Sequence, residues 1–491
     1  MVRDDEIRRL LTDANPWWRA AASGTDPLAW TRDHRLLRDR ARHDLGFRAT
    51  VLDDVGAEPV TDQLVVLTGP RRVGKSVTLL DLAATLCARA DVGPWRVLLV
   101  PCDAMSERDL RRTLTLAREL TRPAEVSGAR ARVWLLDEVS GVPGWSAVLK
   151  AARDGTAFGD DTVVATGSRW AASEDIEGNL MAGRAGSGAG RRRRQLLPMT
   201  FRDYLAAARP ELARPGPARI DQLQDRAVAI RLQQVQFDVD AYDLAWQAYL
   251  TCGGFPRAVS EHTHHGQVSA PYLRDLAAWL RRDVDVDAAP ESLPLLLDGL
   301  WRRAPSPMSV ARTAADLAYP SRDVFDLRLR RLIATHAALW CSRRDPAGRV
   351  VAGSQSKLYL IDPVLAWLPS RLRAGLDEPD MTVLTEMAIG VAAARAIEDL
   401  DEGRWVAGDT IGYARTSGDH EVDLAPVPVP TAAGARISVP MESKWVDHGW
   451  RAAARTIDGK YHAGILATKS VLDTRGDVWA VPAPLVALLL S

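Results

Sequence analysis

Cysteine and lysine are scarce in this 491-residue chain, and neither sign of charge is in excess. The four cysteines, Cys87, Cys102, Cys252 and Cys341, are scattered without C-x-x-C spacing, which argues against a zinc site and against a disulfide framework. Lys plus Arg equals Asp plus Glu at 63 each, so no overall field attracts the chain to nucleic acid or anionic lipid. Any binding of that kind must come from a local patch.

Long apolar runs are also missing. The first residues, MVRDDEIRRLL, are charged, and the most apolar segment, VWAVPAPLVALLL, is too short and too broken by proline to cross a bilayer. We therefore expect a soluble cytoplasmic protein without membrane association. The length exceeds one hydrophobic core and predicts several modules.

Only six lysines accompany 57 arginines, so lysine marks positions where something other than generic positive charge is needed. One of them lies in LVVLTGPRRVGKS (Leu64 to Ser76), a glycine-rich loop between an apolar strand and a helix. This context predicts a phosphate-binding loop rather than a surface turn that happens to contain Gly-Lys. Lys75 would meet the terminal phosphates and Ser76 would ligate Mg²⁺. The candidate ATP-binding residues of this loop are Gly69, Pro70, Arg71, Arg72, Val73, Gly74, Lys75, Ser76 and Val77.

Paired acids follow a second apolar strand in RVWLLDE (Arg132 to Glu138). This is the form of a Walker B segment, in which Asp137 holds Mg²⁺ and Glu138 polarises the attacking water. An acid directly after the Mg²⁺ aspartate is typical of ATP-hydrolysing P-loop proteins with an additional strand. The alternative is an acid-rich helix N-terminus.

A further strand, in DDTVVATGSRW, carries polar groups at its tip, where Thr166 would contact the γ-phosphate or the attacking water. The alternation of strands and helices predicts an α/β fold with a parallel, doubly wound sheet. Arg184, or one of the four arginines at 191–194, would neutralise charge in the transition state as an arginine finger, within the subunit or across a neighbour. The alternative for each arginine is a solvated basic loop.

The middle of the chain reads as helical. Three histidines in EHTHHG (His262, His264 and His265) are interpreted as a solvated turn before a helix rather than a metal site. Farther on, two short helices, a longer helix and two strand-like segments form a winged-helix pattern. Its arginines, which are suited to DNA phosphates or to packing between domains, are Arg322, Arg328, Arg330 and Arg331.

A second set of chemical groups lies near the C-terminus. Glu386 is on an apolar helix, Asp423 on a strand, and Glu442 and Lys444 on the next strand, which is the layout of PD-(D/E)xK nucleases. The three acids would bind a divalent metal and Lys444 would help to activate water. Pro440, within the expected strand, indicates an edge or a distorted strand. The alternative is an ordinary surface ion pair, and the basic residues that would receive a DNA backbone are Arg451, Arg455 and Lys460.

Seven segments in this order resemble bacterial and archaeal AAA-type ATPases with a DUF4143 C-terminal region. The segments are the P-loop, LLDEVSGVPGW, TGS, AGR, LLPMTFRDYL, YLTCGGFPRAV and KLYLIDPVL. The resemblance implies a nuclease-like C-terminal fold, similar to Holliday-junction resolvases. The expected domains are N-terminal helices (1–50), a P-loop ATPase core (51–205), a helical lid (206–290), a winged-helix-like module (291–372) and a nuclease-like domain (373–491).

Two hypotheses follow. In the first, a Mg²⁺-dependent ATPase is coupled to DNA binding or processing through the nuclease-like domain. In the second, the ATPase is a regulatory switch whose C-terminal domain cuts nothing and binds a protein partner. Both allow assembly into a homo-oligomer.

Overall fold

The computed structural model describes most of the chain: residues 3–58, 60–122, 131–155, 158–168, 191–285, 292–400 and 439–491, and the shorter stretches 405, 410–416, 418, 420–425, 428–430 and 436–437. Contacts between residues divide it into two compact units, residues 1–197 and 198–491. Among the helices in these ranges, none is both long and apolar enough to span a bilayer.

The first unit alternates helices with short strands. Its elements, in chain order, are α1 (Asp4–Ala14), α2 (Pro16–Ser23), α3 (Arg35–Arg42), α4 (Asp53–Ala57), β1 (Gln63–Thr68), α5 (Lys75–Ala88), β2 (Val97–Pro101), α6 (Glu107–Leu120), β3 (Val133–Asp137), α7 (Trp145–Asp154), β4 (Thr162–Gly167) and β5 (Arg193–Gln195).

The five strands form one parallel sheet in the order β2-β3-β4-β1-β5, which confirms the predicted α/β fold with a parallel sheet. All residues of β1 and β4 are buried, because a parallel sheet is covered by its connecting helices. β4 lies between β1, which leads into the glycine-rich loop, and β3, which ends at Asp137. The loop and the paired acids therefore meet at the carboxyl edge of the sheet with the tip of β4 between them.

The N-terminal segment NPWWRA packs along β2, the outer strand at one side of this sheet. Asn15 donates its side-chain amide to the carbonyl of Leu99 at 2.8 Å and accepts the Leu99 N–H at 2.7 Å, as a neighbouring strand would. The indole N–H groups of Trp17 and Trp18 donate to the carbonyl of Val97 at 2.9 and 3.0 Å. Side chains of the N-terminal segment thus satisfy backbone hydrogen-bonding groups on the unpaired edge of β2.

The second unit begins with helices and ends with three small sheets. Its elements are α8 (Phe201–Ala208), α9 (Arg226–Gln233), α10 (Val239–Cys252), α11 (Pro256–His265), α12 (Ala270–Val284), α13 (Ser292–Trp301), α14 (Val310–Asp316), α15 (Arg322–Ala334), β6 (Ala338–Arg343), β7 (Ser356–Leu360), α16 (Pro363–Leu372), α17 (Met381–Leu400), β8 (Ile411–Arg415), β9 (Glu421–Val422), β10 (Val429–Pro430), β11 (Arg436–Ile437), β12 (Met441–Ser443), α18 (Trp450–Ala453), α19 (Arg455–Tyr461), β13 (Gly464–Thr468), β14 (Val478–Pro482) and α20 (Ala483–Leu489).

One sheet of this unit joins segments that the sequence assigns to different modules. Its order is β7-β6-β8-β9, with β6 antiparallel to β7 and parallel to β8. The three helices α13, α14 and α15 and the β6–β7 hairpin follow the order expected for a winged helix. The hairpin nevertheless shares its sheet with β8, beyond the expected boundary at 372, so Lys357 on β7 belongs to the same sheet as Glu421 on β9.

Two neighbouring glycines connect α10 to α16. Gly253 has a φ of 71°, and the Gly254 N–H donates to the Asp362 carboxylate at 2.7 Å. The Gly254 carbonyl accepts the N–H of Met199 at 2.6 Å. Burial raises the pKa of Asp362 to about 6, although hydrogen bonds from backbone N–H groups stabilise its ionised form. The segments YLTCGGFPRAV and KLYLIDPVL therefore meet in a buried junction.

We predict that Gly254→Ala destabilises the chain. A Cβ at this position would lie 2.1 Å from the Met199 carbonyl oxygen, so backbone must move. The expected loss is about 2 kcal/mol or more, measured as a lower urea midpoint by circular dichroism. The control is Gly459→Ala in α19, where no atom lies within 4 Å of the new Cβ. Equal midpoints for the two variants would contradict the junction.

Candidate functional site

Residues 69–74 form the glycine-rich loop between β1 and α5, and its two glycines serve different purposes. A Cβ on Gly69 would lie 2.0 Å from the carbonyl oxygen of Leu196, so the close approach of this backbone to the segment after β5 requires glycine. Gly74 has a φ of 102° and no atom within 4 Å of where a Cβ would stand. The loop therefore turns left-handed into α5 beside open space.

Lys75 is buried at the start of α5, with only 4% of its surface exposed. Its ammonium donates to the carbonyls of Gly69 at 3.0 Å and Pro70 at 2.9 Å, and lies 3.6 Å from Glu138 Oε1. Burial lowers the pKa of Lys75, and the charges of Glu138 and Asp137 oppose that effect. The ammonium is thus held by partners that an anionic ligand would replace.

The remaining predicted residues of the loop differ in what they present. Val73 is buried, whereas Arg72 is exposed with a φ of 71°. The charge of Arg71 contributes to lowering the pKa of both Lys75 and Glu138. Val77 lies in the first turn of α5, where N–H groups have no partner within the helix.

Asp137 is linked by hydrogen bonds to both neighbouring motifs. The Thr166 hydroxyl donates to Asp137 Oδ1 at 2.9 Å and accepts the backbone N–H of Glu138 at 3.0 Å. Ser76 also hydrogen-bonds the Asp137 carboxylate. Burial raises the pKa of Asp137, against the effect of these two hydroxyls. The structure therefore brings together Ser76, Asp137 and Thr166, which the sequence assigned to metal binding and to sensing.

Glu138 lies in the left-handed region with a φ of 54°, an uncommon conformation for a residue other than glycine. The Ser168 hydroxyl donates to Glu138 Oε2 at 3.0 Å, while Oε1 faces Lys75. Burial acts to raise its pKa, but the charges of Lys75 and Arg71 and the Ser168 hydrogen bond outweigh burial and lower the pKa. The Glu138 carboxylate is accordingly ionised and held between Ser168 and Lys75.

This arrangement fits a nucleotide with Mg²⁺. The open space beside Gly74 adjoins a helix N-terminus, where N–H groups and the helix dipole favour phosphate. The hydroxyl of Ser76 and the carboxylate of Asp137 are the oxygen ligands that a hard cation prefers.

Of the arginines predicted as the arginine finger, the structure describes those at 191–194. Arg184 lies outside the described residues. Arg193 and Arg194 belong to β5 and are buried, so they do not lie in a solvated basic loop. The guanidinium of Arg194 forms an ion pair with Asp54, at 2.7 Å for Nη2 to Oδ2. Arg194 therefore fastens α4 to the sheet.

In the second unit, the ammonium of Lys357 lies within a cluster of acids. It is 2.8 Å from Glu386 Oε1, 2.6 Å from Glu421 Oε1 and 3.0 Å from Asp423 Oδ1, and the side chain has no exposed surface. The three carboxylates raise the pKa of Lys357 against the opposing effect of burial. We name Lys357, Glu386, Glu421 and Asp423 the acidic cluster.

Each carboxylate of this cluster also has a second partner. The Tyr359 hydroxyl donates to Glu386 Oε1 at 2.7 Å, and the Ser443 N–H donates to Asp423 Oδ2 at 3.0 Å. Arg415 lies 3.3 Å from Glu421 Oε2. Burial, followed by the charge of Asp423, raises the pKa of Glu386 to about 7.

Glu442 and Lys444 form a pair beside the cluster. Strand β12 begins after Pro440, which accepts the Ile465 N–H at 3.0 Å through its carbonyl, so proline stands just outside the short edge strand. Lys444 Nζ lies 3.1 Å from Glu442 Oε1, as expected for residues on one face. Burial raises the pKa of Glu442 to about 7, with Lys444 opposing the shift.

The acids do not fit the predicted metal site. Within the described ranges, no group of three or more His, Cys, Asp or Glu side chains is arranged to hold a metal ion. The ammonium of Lys357 instead faces oxygens of Glu386 and Asp423, two of the three proposed ligands. Sequence reasoning missed Lys357, Tyr359 and Glu421. The available signals were the scarcity of lysine and the alternation of Lys357 with Tyr359 on one strand.

Several predicted DNA contacts are engaged within the unit. Arg328 pairs with Asp285 and lies 5.0 Å above the Tyr319 ring, and Arg331 donates to the Val284 carbonyl at 3.3 Å. Arg451 pairs with Asp473 at 2.8 Å. Lys460 donates to the Arg415 carbonyl at 3.1 Å, and Arg455 is exposed on α19. The three histidines lie in the last turn of α11 rather than in a non-helical turn, and Gly266 ends that helix before α12 begins at Ala270.

Comparison with known proteins identifies one domain. Residues 61–205 match the family AAA_14, described as an AAA domain, and no curated protein matches the chain significantly. Among solved structures, the chain is similar to a Walker-type ATPase of Pyrococcus abyssi at 15% identity, over 62% of this chain and 91% of that chain, with a TM-score of 0.36. The chain is also similar to the RuvB Holliday junction branch migration motor of Thermotoga maritima at 14% identity, over 64% of this chain and 92% of that chain, with a TM-score of 0.25. For the ORC2 protein of Aeropyrum pernix the identity is 12%, over 69% of this chain and 94% of that chain, with a TM-score of 0.24. Residues 61–205, which contain the glycine-rich loop and the paired acids, are thus similar to an AAA domain.

Proposed function

We propose that the first unit binds ATP with Mg²⁺ and hydrolyses it, and that turnover changes what the second unit binds. The observation that supports this most strongly is the set of hydrogen bonds linking Ser76, Asp137, Thr166 and Glu138 beside the buried ammonium of Lys75. These are the groups that phosphoryl transfer to water requires, and they converge at the carboxyl edge of a parallel sheet.

Each residue has a separate task in this proposal. Lys75 and the N–H groups of the loop bind the terminal phosphates, and Glu138 accepts a proton from the attacking water. Thr166 fixes the Glu138 backbone and the Asp137 carboxylate at the same time, so that both keep their orientation. Mg²⁺, when bound, neutralises charge on the phosphate oxygens. Arg184 is proposed as the arginine finger, in the same subunit or in a neighbouring subunit of a homo-oligomer.

ATP binding also changes the partners of Glu138. Phosphate oxygens that take the Lys75 ammonium compete with the Gly69 and Pro70 carbonyls and with Glu138 Oε1 for the same donor. Glu138 then keeps the Ser168 hydrogen bond but loses a positive partner. Nucleotide binding therefore frees one carboxylate oxygen for water.

For the second unit we propose binding without cleavage, as in a regulatory switch. The ammonium within the acidic cluster supports this over a metal-dependent nuclease. DNA remains a candidate partner through Arg322 and Arg330, which are exposed on α15, and a protein partner is the alternative.

Lys75→Ala is expected to raise the Kd for ATP at least about tenfold, because the main side-chain countercharge to the phosphates is lost. Calorimetry on the full chain measures this. Lys150→Ala, in α7 of the same unit, is the matched control and should bind ATP as the parent does. Unchanged affinity in a folded Lys75→Ala protein would remove the nucleotide assignment.

Glu138→Gln is expected to bind ATP normally and to hydrolyse it about 10²-fold more slowly, since an amide does not accept the proton from water. Phosphate release under single-turnover conditions checks the rate. Because the substitution preserves shape, an inactive variant that binds ATP isolates the chemical step. Turnover at the parental rate would show that another group is the base.

If DNA is the partner, duplex, branched or single-stranded DNA should stimulate ATP turnover, and the double substitution Arg322→Ala and Arg330→Ala should remove most of that stimulation. The measurement is the steady-state ATPase rate at two salt concentrations. Arg209→Ala, at the end of α8, is the control. A rate that no DNA form changes would favour the protein partner.

A further inference from the structure

Lys357 has the coordination expected of a resident cation rather than of an ordinary surface ion pair. Three carboxylate oxygens from three residues lie 2.6 to 3.0 Å from one ammonium, which is completely buried. The ammonium donates hydrogen bonds to Glu386 and Asp423, and the Glu421 carboxylate is its third ion-pair partner. Because the side chain has no exposed surface, the ammonium does not face solvent.

The surrounding backbone fixes this ammonium in place. Lys357 is paired with Cys341 in the antiparallel β6–β7 register, and Cys341 is in turn paired with Ile411 of β8. The Lys357 ammonium also lies 5.9 Å from the ring of Tyr413, on the same strand β8. Its position is therefore set by a continuous sheet and not by a flexible side chain reaching from the surface.

The carboxylates have equally fixed second partners. Asp423 accepts a backbone N–H from Ser443, Glu386 accepts the Tyr359 hydroxyl, and Glu421 accepts Arg415. A hard cation such as Mg²⁺ or Mn²⁺ binds carboxylate oxygens that face a common point. In this cluster the common point for Glu386, Glu421 and Asp423 is the nitrogen of Lys357.

We propose that Lys357 is the permanent cation of the acidic cluster and excludes divalent metal from it. Residues 198–491 then form a metal-independent module, and the resemblance to PD-(D/E)xK nucleases is one of layout without metal-dependent cleavage. The Glu442–Lys444 pair lies outside the contacts of Lys357 and does not supply a second set of three acids within the described residues.

The test is Mn²⁺ binding by the nucleotide-free, full-length chain, followed by electron paramagnetic resonance and calorimetry. Binding that belongs to the cluster is recognised as the part that Asp423→Asn removes, which separates it from Mn²⁺ at the P-loop. The parent should show no such part. Lys357→Met, whose unbranched side chain lacks the terminal ammonium and its charge, should gain Mn²⁺ affinity by roughly tenfold or more, because three carboxylates then lack their cation.

Two further variants complete the design. Lys357→Met combined with Asp423→Asn should lose the gained affinity, and Lys357→Arg, which keeps the charge, should not acquire it. Asp423-dependent Mn²⁺ binding or DNA cleavage by the parent would overturn the proposal. A folded Lys357→Met protein without gained affinity would also overturn it. If Lys357→Met does not fold, the comparison of the parent with Asp423→Asn decides alone.

Discussion

A charge removed from water must find partners within the protein, and each unit of this chain arranges its site around one buried lysine ammonium. Lys75 draws the carbonyls of its own loop and the carboxylate of Glu138. Lys357 draws three carboxylates from a helix and a strand region that are distant in sequence. Acids in both units thus lie around one of these two groups.

The two ammoniums differ in how readily their partners exchange. The partners of the Lys75 ammonium are two neutral carbonyls and one carboxylate at 3.6 Å. The same loop has open space at Gly74. A phosphate offers a stronger charge than any of them, so the first site is suited to a ligand that comes and goes. Lys357 is already neutralised by full charges at hydrogen-bond distance, so an added ligand would gain little there.

The strand order of the first sheet connects the residues of the first site by hydrogen bonds. Because β4 is inserted between β1 and β3, Thr166 and Ser168 stand between the loop and the paired acids. Thr166 orients Asp137 and the Glu138 backbone, and Ser168 holds the Glu138 side chain. In the second unit the strand β6 has the corresponding effect, since it pairs with both β7 and β8 and so carries Lys357 toward the acids.

The glycine-rich loop, the paired acids and the parallel sheet could be predicted without a structure, because each depends on neighbouring residues and on short apolar runs. The sequence also located Glu442 and Lys444, which are two residues apart on one face. The partners of Lys357 and Arg194 depend on tertiary structure. Lys357 contacts Asp423, 66 residues away along the chain, and Arg194 contacts Asp54, 140 residues away. Those contacts follow from strand register and from the partners that buried charges require. The local spacing of residues along the chain does not predict either contact.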